Sequence, residues 1–188
     1  MQDGQMVTLL ILGAIGFVLL LKSVVIVREA TAVVIERLGK FNRIADSGFG
    51  LIIPFVDRKA ATINLRVQQL DVTVETKTKD NVFVNLQVSV QFRVGREQVR
   101  EAYYSLDNPR NQIASYVFDD VRAEVPRLDL DDVFAKKEDI ALAVQRNIHD
   151  SMDEYGYHIL KALITDIDPD HKVKDAMNRI NAAKRDRE

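Results

Sequence analysis

Val82–Arg93 carries a strict period of two over twelve residues. Val82, Val84, Leu86, Val88, Val90 and Phe92 fall on one side, and Phe83, Asn85, Gln87, Ser89, Gln91 and Arg93 on the other. A helix would scatter that pattern around its axis. Only an extended chain gathers each set on one face, so the segment is a half-buried strand. Leu65–Glu75 repeats the theme, with Leu70, Val72 and Val74 opposed to Asp71, Thr73 and Glu75. The polar link Thr76–Asn81 joins the two as an antiparallel hairpin. One face of that hairpin stays polar, either solvated or covered by another subunit. Thr31–Glu36 is a further β-branched stretch, and the Arg37-Leu38-Gly39-Lys40 that follows is a turn in which Gly39 can take a positive φ.

After Gly95 the period lengthens to that of a helix. Arg96–Tyr104 and Arg110–Glu124 are helical, the second with Asn108 as N-cap, Pro109 at the first helical position and Ile113, Val117 and Val121 on one stripe. Pro126 ends it. Lys136–Tyr155 is a longer amphipathic helix, with Ile140, Val144, Ile148 and Met152 in line and Gly156 as its stop. Tyr157–Ile167 returns to strand character. Asp168-Pro169-Asp170 then opens a last helix whose seam is Val173, Met177 and Ile180. Asn181–Glu188 has no Gly or Pro to end it, so a helical continuation, as a partner helix or a coiled coil, is expected beyond residue 188. Strands first and helices after make an α+β fold.

The N-terminus reads differently. Of the 22 residues Met6–Val27, only Thr8, Lys22 and Ser23 are distinctly polar. At about 1.5 Å per residue a helix of that length reaches roughly 33 Å, enough for the hydrocarbon layer of a bilayer. Met1–Gln5 lacks the basic residues of a signal peptide, and Ser23-Val24-Val25 is a poor cleavage site. Residues 6–27 are therefore expected to be an uncleaved single-pass anchor, residues 28–168 the folded domain and 169–188 the start of the C-terminal helix. Lys22, Arg28, Arg37, Lys40 and Arg43 all follow the apolar run, which places the domain on the cytoplasmic side.

Composition removes several chemistries. The chain has no Cys, so disulfides, thiolate metal sites and cysteine nucleophiles are out of reach. Lys and Arg total 26 against 28 Asp and Glu, leaving no positive surplus for nucleic acid. His149, His158 and His171 lack the spacing of a helical metal pair. Asp166, Asp168 and Asp170 begin like a calcium loop, but His171 replaces its glycine and Met177 its bidentate glutamate. They are an acidic turn, as are Asp129, Asp131 and Asp132 before the long helix. Gly48-Phe49-Gly50 lacks the third glycine of a dinucleotide site and is a turn signal. No catalytic, cofactor-binding or metal residue is expected, and the chain does not read as an enzyme.

One apolar segment is too short to span a bilayer: Phe49, Gly50, Leu51, Ile52, Ile53, Pro54, Phe55 and Val56, bounded by Asp57-Arg58-Lys59. It is either a core strand or a shallow contact with lipid, with Arg58 and Lys59 facing anionic headgroups.

These pieces, in this order, resemble the SPFH superfamily of stomatins, prohibitins and flotillins. The carriers are Gly39-Lys40-Phe41, Gly48-Phe49-Gly50 leading to Pro54-Phe55-Val56-Asp57, Ile63-Asn64-Leu65-Arg66, and Thr78-Lys79-Asp80-Asn81. Tyr155-Gly156-Tyr157, Asp166-Ile167-Asp168-Pro169 and Met177-Asn178-Arg179-Ile180-Asn181-Ala182-Ala183 complete the set, the last two being most similar to the plant hypersensitive-induced-response branch. Met1-Gln2 offers no myristoylation site, and an apolar helix stands in its place as in bacterial members.

The resemblance implies an SPFH (band 7) domain acting without catalysis, on a bacterial inner membrane, as a large homo-oligomeric ring or cage. It would organise membrane microdomains and modulate membrane-protein quality control. Implied partners are membrane lipids, further copies of the chain, and an AAA-type membrane protease or an NfeD-like protein; no nucleic acid and no cofactor is implied. It favours lipid contact for Phe49, Leu51, Ile52, Ile53, Pro54 and Phe55, and a subunit seam at Val173, Met177 and Ile180. A regulatory adaptor of small stoichiometry on a protease or channel is the alternative, and a membrane-anchored hydrolase would need its machinery beyond residue 188.

Overall fold

The alternating strand forms where the pattern puts it. In the computed structural model, which describes residues 13–14, 16–18, 20–170, 173–176 and 179, it spans Phe83–Val94. In chain order the strands are β1 (Val24–Val27), β2 (Thr31–Arg37), β3 (Lys40–Ala45), β4 (Gly48–Leu51), β5 (Asp57–Asn64), β6 (Gln68–Lys77), β7 (Phe83–Val94) and β8 (Tyr157–Pro169). Between β7 and β8 lie helices α1 (Val99–Tyr104), α2 (Pro109–Glu124), α3 (Leu130–Ala135) and α4 (Lys137–Asp153). The chain divides into two units, one of residues up to Arg66 with Val94–Tyr103, the other of Val67–Arg93 with Tyr104 onward.

In the first unit, β2 is the middle strand of an antiparallel sheet in the order β3-β2-β5, and β1 pairs with β4 in a sheet of two. Ala32, Val33, Val34 and Ile35 are all buried, as expected for a central strand covered on both faces. Val33 and Ile35 meet Val25 and Val27 of β1 and Ala45 of β3, with Ile52 partly buried against them. In α1, Val99 and Ala102 are buried, and the Arg100 guanidinium lies 5.1 Å from the Phe41 ring centre on β3. β2 and β3 are joined by Leu38 and Gly39, with φ of +48° and +81°. Two positive φ values mark the type I′ turn, whose twist matches a hairpin and whose first position favours Asn, Asp or Gly.

In the second unit the sheet order is β6-β7-β8. β6 pairs antiparallel with β7, Leu70 opposite Val90 and Val74 opposite Leu86. Asp170 N–H donates to Phe83 C=O, and the Thr165 hydroxyl to Gln87 C=O; β8 therefore recedes as β7 advances. Val84, Leu86, Val88, Val90 and Phe92 are fully buried, each contributing about 1.5–3 kcal/mol by leaving water. The opposite face keeps Asp71 hydrogen-bonded to Ser89 and Gln69. α2 and α4 supply Ile113, Val117, Val121, Ile140, Val144, Ile148 and Met152 to the core. Asn108 caps α2 by accepting Asn111 N–H at 3.2 Å, and Gly156, at φ +78°, donates to Asp153 C=O past the end of α4.

Several boundaries differ from the sequence reading. Val24–Val27, expected as the end of a membrane helix, is a strand; a run of β-branched residues fits either state, and pairing with β4 decides. Gly48-Phe49-Gly50 lies within that partner strand and is no turn. Nothing local marks β5, because Asp57–Asn64 does not alternate between apolar and polar residues. α3 precedes the long helix as a separate piece, broken at Lys136. The acidic stretch Asp166–Pro169 is the end of β8, held by its neighbour β7 instead of turning.

Candidate membrane-contact surface

β1 alternates in burial: Val25 and Val27 face the core, whereas Val24 and Ile26 face out, Ile26 with 76% of its surface exposed. Its partner does the same. Val24 sits opposite Leu51 and Ile26 opposite Phe49, and all four are exposed. Cross-strand neighbours on one face lie about 4.5–5.5 Å apart at Cβ, so these residues form one apolar face on the two-stranded sheet. Scattered exposed apolar residues need no explanation, but a contiguous apolar patch marks an interaction surface.

The face continues at both ends of its chain segments. Gly13, Ala14, Gly16–Val18 and Leu20–Lys22 are helical, with Phe17, Val18, Leu20 and Leu21 exposed. Ser23 N–H donates to Leu20 C=O, and Ser23 C=O in turn accepts Ile52 N–H at 2.7 Å. The end of the apolar helix is thus bonded to the residue that leads into Ile53-Pro54-Phe55. Ile53 is half exposed, and Phe55 is 86% exposed with φ at +66°. Arg43 donates to Leu51 C=O and fastens β3 to the end of β4.

Asp57 closes this turn. Its carboxylate accepts two guanidinium N–H groups of Arg37, at 2.7 and 3.2 Å, and Ile53 N–H at 2.9 Å. Its own N–H donates to Ile53 C=O at 2.8 Å. The Asp57 side chain is only 2% exposed, and the Arg37 bonds followed by the Ile53 amide hold its carboxyl below the usual carboxylate range. One position along, Arg58 donates to the buried Glu36 at 2.8 Å. Arg58 therefore engages a carboxylate in its own sheet, while Lys59 is exposed. Residues 22–66 carry eight Lys and Arg against four Asp and Glu, in a chain of net charge −2.

Of the six expected lipid-contact residues, Phe49, Leu51, Ile53 and Phe55 are exposed, Pro54 is half-buried, and Ile52 packs against the core. Ile52 differs from its neighbours in being partly buried against Val25, Val27, Val33, Ile35 and Ala45. Val24, Ile26 and Leu38 are further exposed apolar residues that the sequence did not single out. The first two were hidden inside the apolar run, and the third in a turn. Among the described residues no helix is long and apolar enough to cross a membrane. Of the expected anchor, Met6–Leu12, Ile15 and Leu19 lie outside the described residues, as do Met177 and Ile180 of the expected seam. Val173 lies in the described helical residues and is half-buried.

No group of three His, Cys, Asp or Glu side chains among the described residues is placed to hold a metal ion. Asp168 instead pairs with Lys174 at 2.9 Å, and His158 Nδ1 lies 2.6 Å from Asp153.

The chain is 44% identical over 160 residues to hypersensitive-induced response protein 4 of Arabidopsis thaliana, covering 85% of this chain and 55% of the plant protein. An uncharacterized protein of Methanocaldococcus jannaschii is 30% identical over 177 residues, covering 94% and 87% of the two chains. Mitochondrial stomatin-like protein 2 of Bos taurus is 28% identical over 166 residues, covering 87% and 46%. The chain spans about half the length of the plant and bovine relatives. The SPFH domain / Band 7 family matches residues 25–188, starting within β1, and the chain belongs to that family.

Proposed function

We propose that this chain is a subunit of a membrane-tethered, homo-oligomeric scaffold that confines lipids and client proteins and performs no catalysis. The observation that carries the reading is the apolar face of Val24, Ile26, Phe49 and Leu51, continuous through the Ser23–Ile52 hydrogen bond with an exposed apolar helix. An aqueous domain gains nothing from such a face, whereas the headgroup boundary of a bilayer accepts it. The basic surplus of residues 22–66 adds attraction to anionic lipid. With Val24–Val27 in a strand, the proposed anchor shortens to Met6–Lys22, whose 17 residues are at the lower limit for a spanning helix.

Many weak lipid and subunit contacts become strong once identical copies share a plane. The proposed subunit seam is the helix of Val173, Met177 and Ile180, and a membrane protease or an NfeD-like protein fits as a client. Two measurements on the full chain test the reading. Phe49→Glu should weaken retention on vesicles while leaving the fold intact; undiminished retention overturns lipid contact at β4. Ile180→Asp should dissolve large assemblies seen by electron microscopy in native-like membrane. Wild-type protein found only as a lone subunit or a small complex overturns the ring.

A further inference from the structure

Leu38 and Phe55 share an unusual pair of properties. Leu38 takes φ +48° and is 79% exposed, and Phe55 takes φ +66° and is 86% exposed. The left-handed region crowds Cβ of any L-residue, and turns fill it with Gly or Asn. Exposed large apolar side chains are a second cost at the same two sites. Folding alone would have removed both, so the pairing points to use.

The two residues belong to one end of one sheet. Leu38 opens the β2–β3 turn, and Phe55 lies in the turn before β5. Leu38 N–H donates to Val56 C=O at 3.1 Å, and Arg37 stands opposite Asp57 in the β2–β5 register. Asp57 joins the turns: one side chain takes the two-pronged bond from the residue before Leu38 and the N–H of Ile53, two residues before Phe55. A bidentate pair with a buried carboxylate fixes geometry in a way that an exposed ion pair does not. The N–H groups of Val56 and Asp57 both donate back to Ile53 C=O, closing the turn from which Phe55 projects, 86% exposed.

We propose that Leu38 is a second lipid-inserting residue alongside Phe55, and that Arg37 and Asp57 are positioning residues that hold both side chains projected. This rests on the membrane-contact reading above and adds its tip geometry. The occupant is the interface of an anionic bilayer. Continuity with the apolar helix through Ser23 and Ile52 supports that choice, as does the basic surplus around the tip. Prearranged side chains enter the interface without first losing rotational and backbone freedom, which is how rigid loops gain affinity.

The chain has no Trp, so Leu38→Trp and Phe55→Trp each create a single fluorophore. Each full-length variant is reconstituted into phosphatidylcholine–phosphatidylglycerol vesicles with bromine-labelled acyl chains, and quenching is read. Both tryptophans should be quenched. Adding Asp57→Asn should cut quenching at both sites by roughly half, as expected for loss of prearrangement. Glu36→Gln, which loosens the neighbouring Arg58 pair in the same sheet, should leave quenching unchanged. Quenching at residue 55 without quenching at 38 overturns the assignment of Leu38. Quenching at both sites that survives Asp57→Asn overturns the positioning role. Should Asp57→Asn lose its circular-dichroism melt, Arg37→Gln decides the same point by the same readout. Absence of quenching at both sites removes the membrane-contact reading itself.

Discussion

The carboxylate of Asp80 accepts the backbone N–H of Leu130 at 3.2 Å, capping the start of α3 from fifty residues upstream. The same oxygen takes the Thr78 hydroxyl at 2.5 Å, and Lys79 N–H donates to Leu128 C=O at 2.9 Å. The polar link of the β6–β7 hairpin thus holds the approach to a helix whose own N-cap residue, Asp129, makes no side-chain cap bond.

That arrangement predicts an acid-sensitive contribution. The Thr78 hydroxyl and the amide bonds lower the Asp80 pKa below its ordinary value. A depressed carboxylate stabilises the fold above its unfolded pKa of about 3.9, and the contribution disappears as pH falls through the folded value. Asp80→Asn should lower the urea midpoint at pH 7 and flatten its loss on acidification. An unchanged acid slope would remove Asp80 from the account.

Asp120 has the opposite sign. It lies on α2, with Oδ1 accepting the amide of Asn147 on α4 at 3.0 Å and Oδ2 buried with no hydrogen-bond partner. Burial raises its pKa, and the nearby Asp119 and Glu124 raise it further against the Asn147 bond. Stability is then greatest below the ordinary carboxylate range and declines as pH rises through the raised value. Asp120→Asn should raise the urea midpoint at pH 7 and leave it little changed near pH 3. A midpoint lowered at pH 7 would contradict this assignment.

The faces of β1 offer a sharper contrast. Val25 is buried against Val33 and Ile35, whereas its neighbour Ile26 is exposed. Val25→Asp should unfold the first unit, because an unpaired charge there has no partner. Ile26→Asp should leave the thermal midpoint within about 1–2 °C and weaken vesicle retention roughly tenfold, the equivalent of about 1.4 kcal/mol. If the segment were part of a membrane-crossing helix, both variants would act alike.

On α4, Ile148 is fully buried and Leu142 is half exposed. Ile148→Ala should cost about 2–5 kcal/mol by opening a cavity, and Leu142→Ala about 0.5 kcal/mol or less. Denaturant titration of the two variants checks the core assignment of the helix stripe.

Local periodicity made β6, β7, α2 and α4 legible, because each buries one face along an unbroken stretch and its pattern is written in consecutive residues. Asn108, Pro109 and Gly156 were legible for the same reason, since caps are short-range chemistry. The exposed apolar residues Phe49, Leu51, Ile53 and Phe55 could be named, but not their separation from Ile52, since an apolar run does not say which side chains point inward. That Val24–Val27 is a strand, that Asp57–Asn64 joins β2, and that Asp80 reaches α3 depended on partners far along the chain. Such pairings take their energy from hydrogen bonds and burial that exist only when distant segments meet, so only the tertiary structure could decide them.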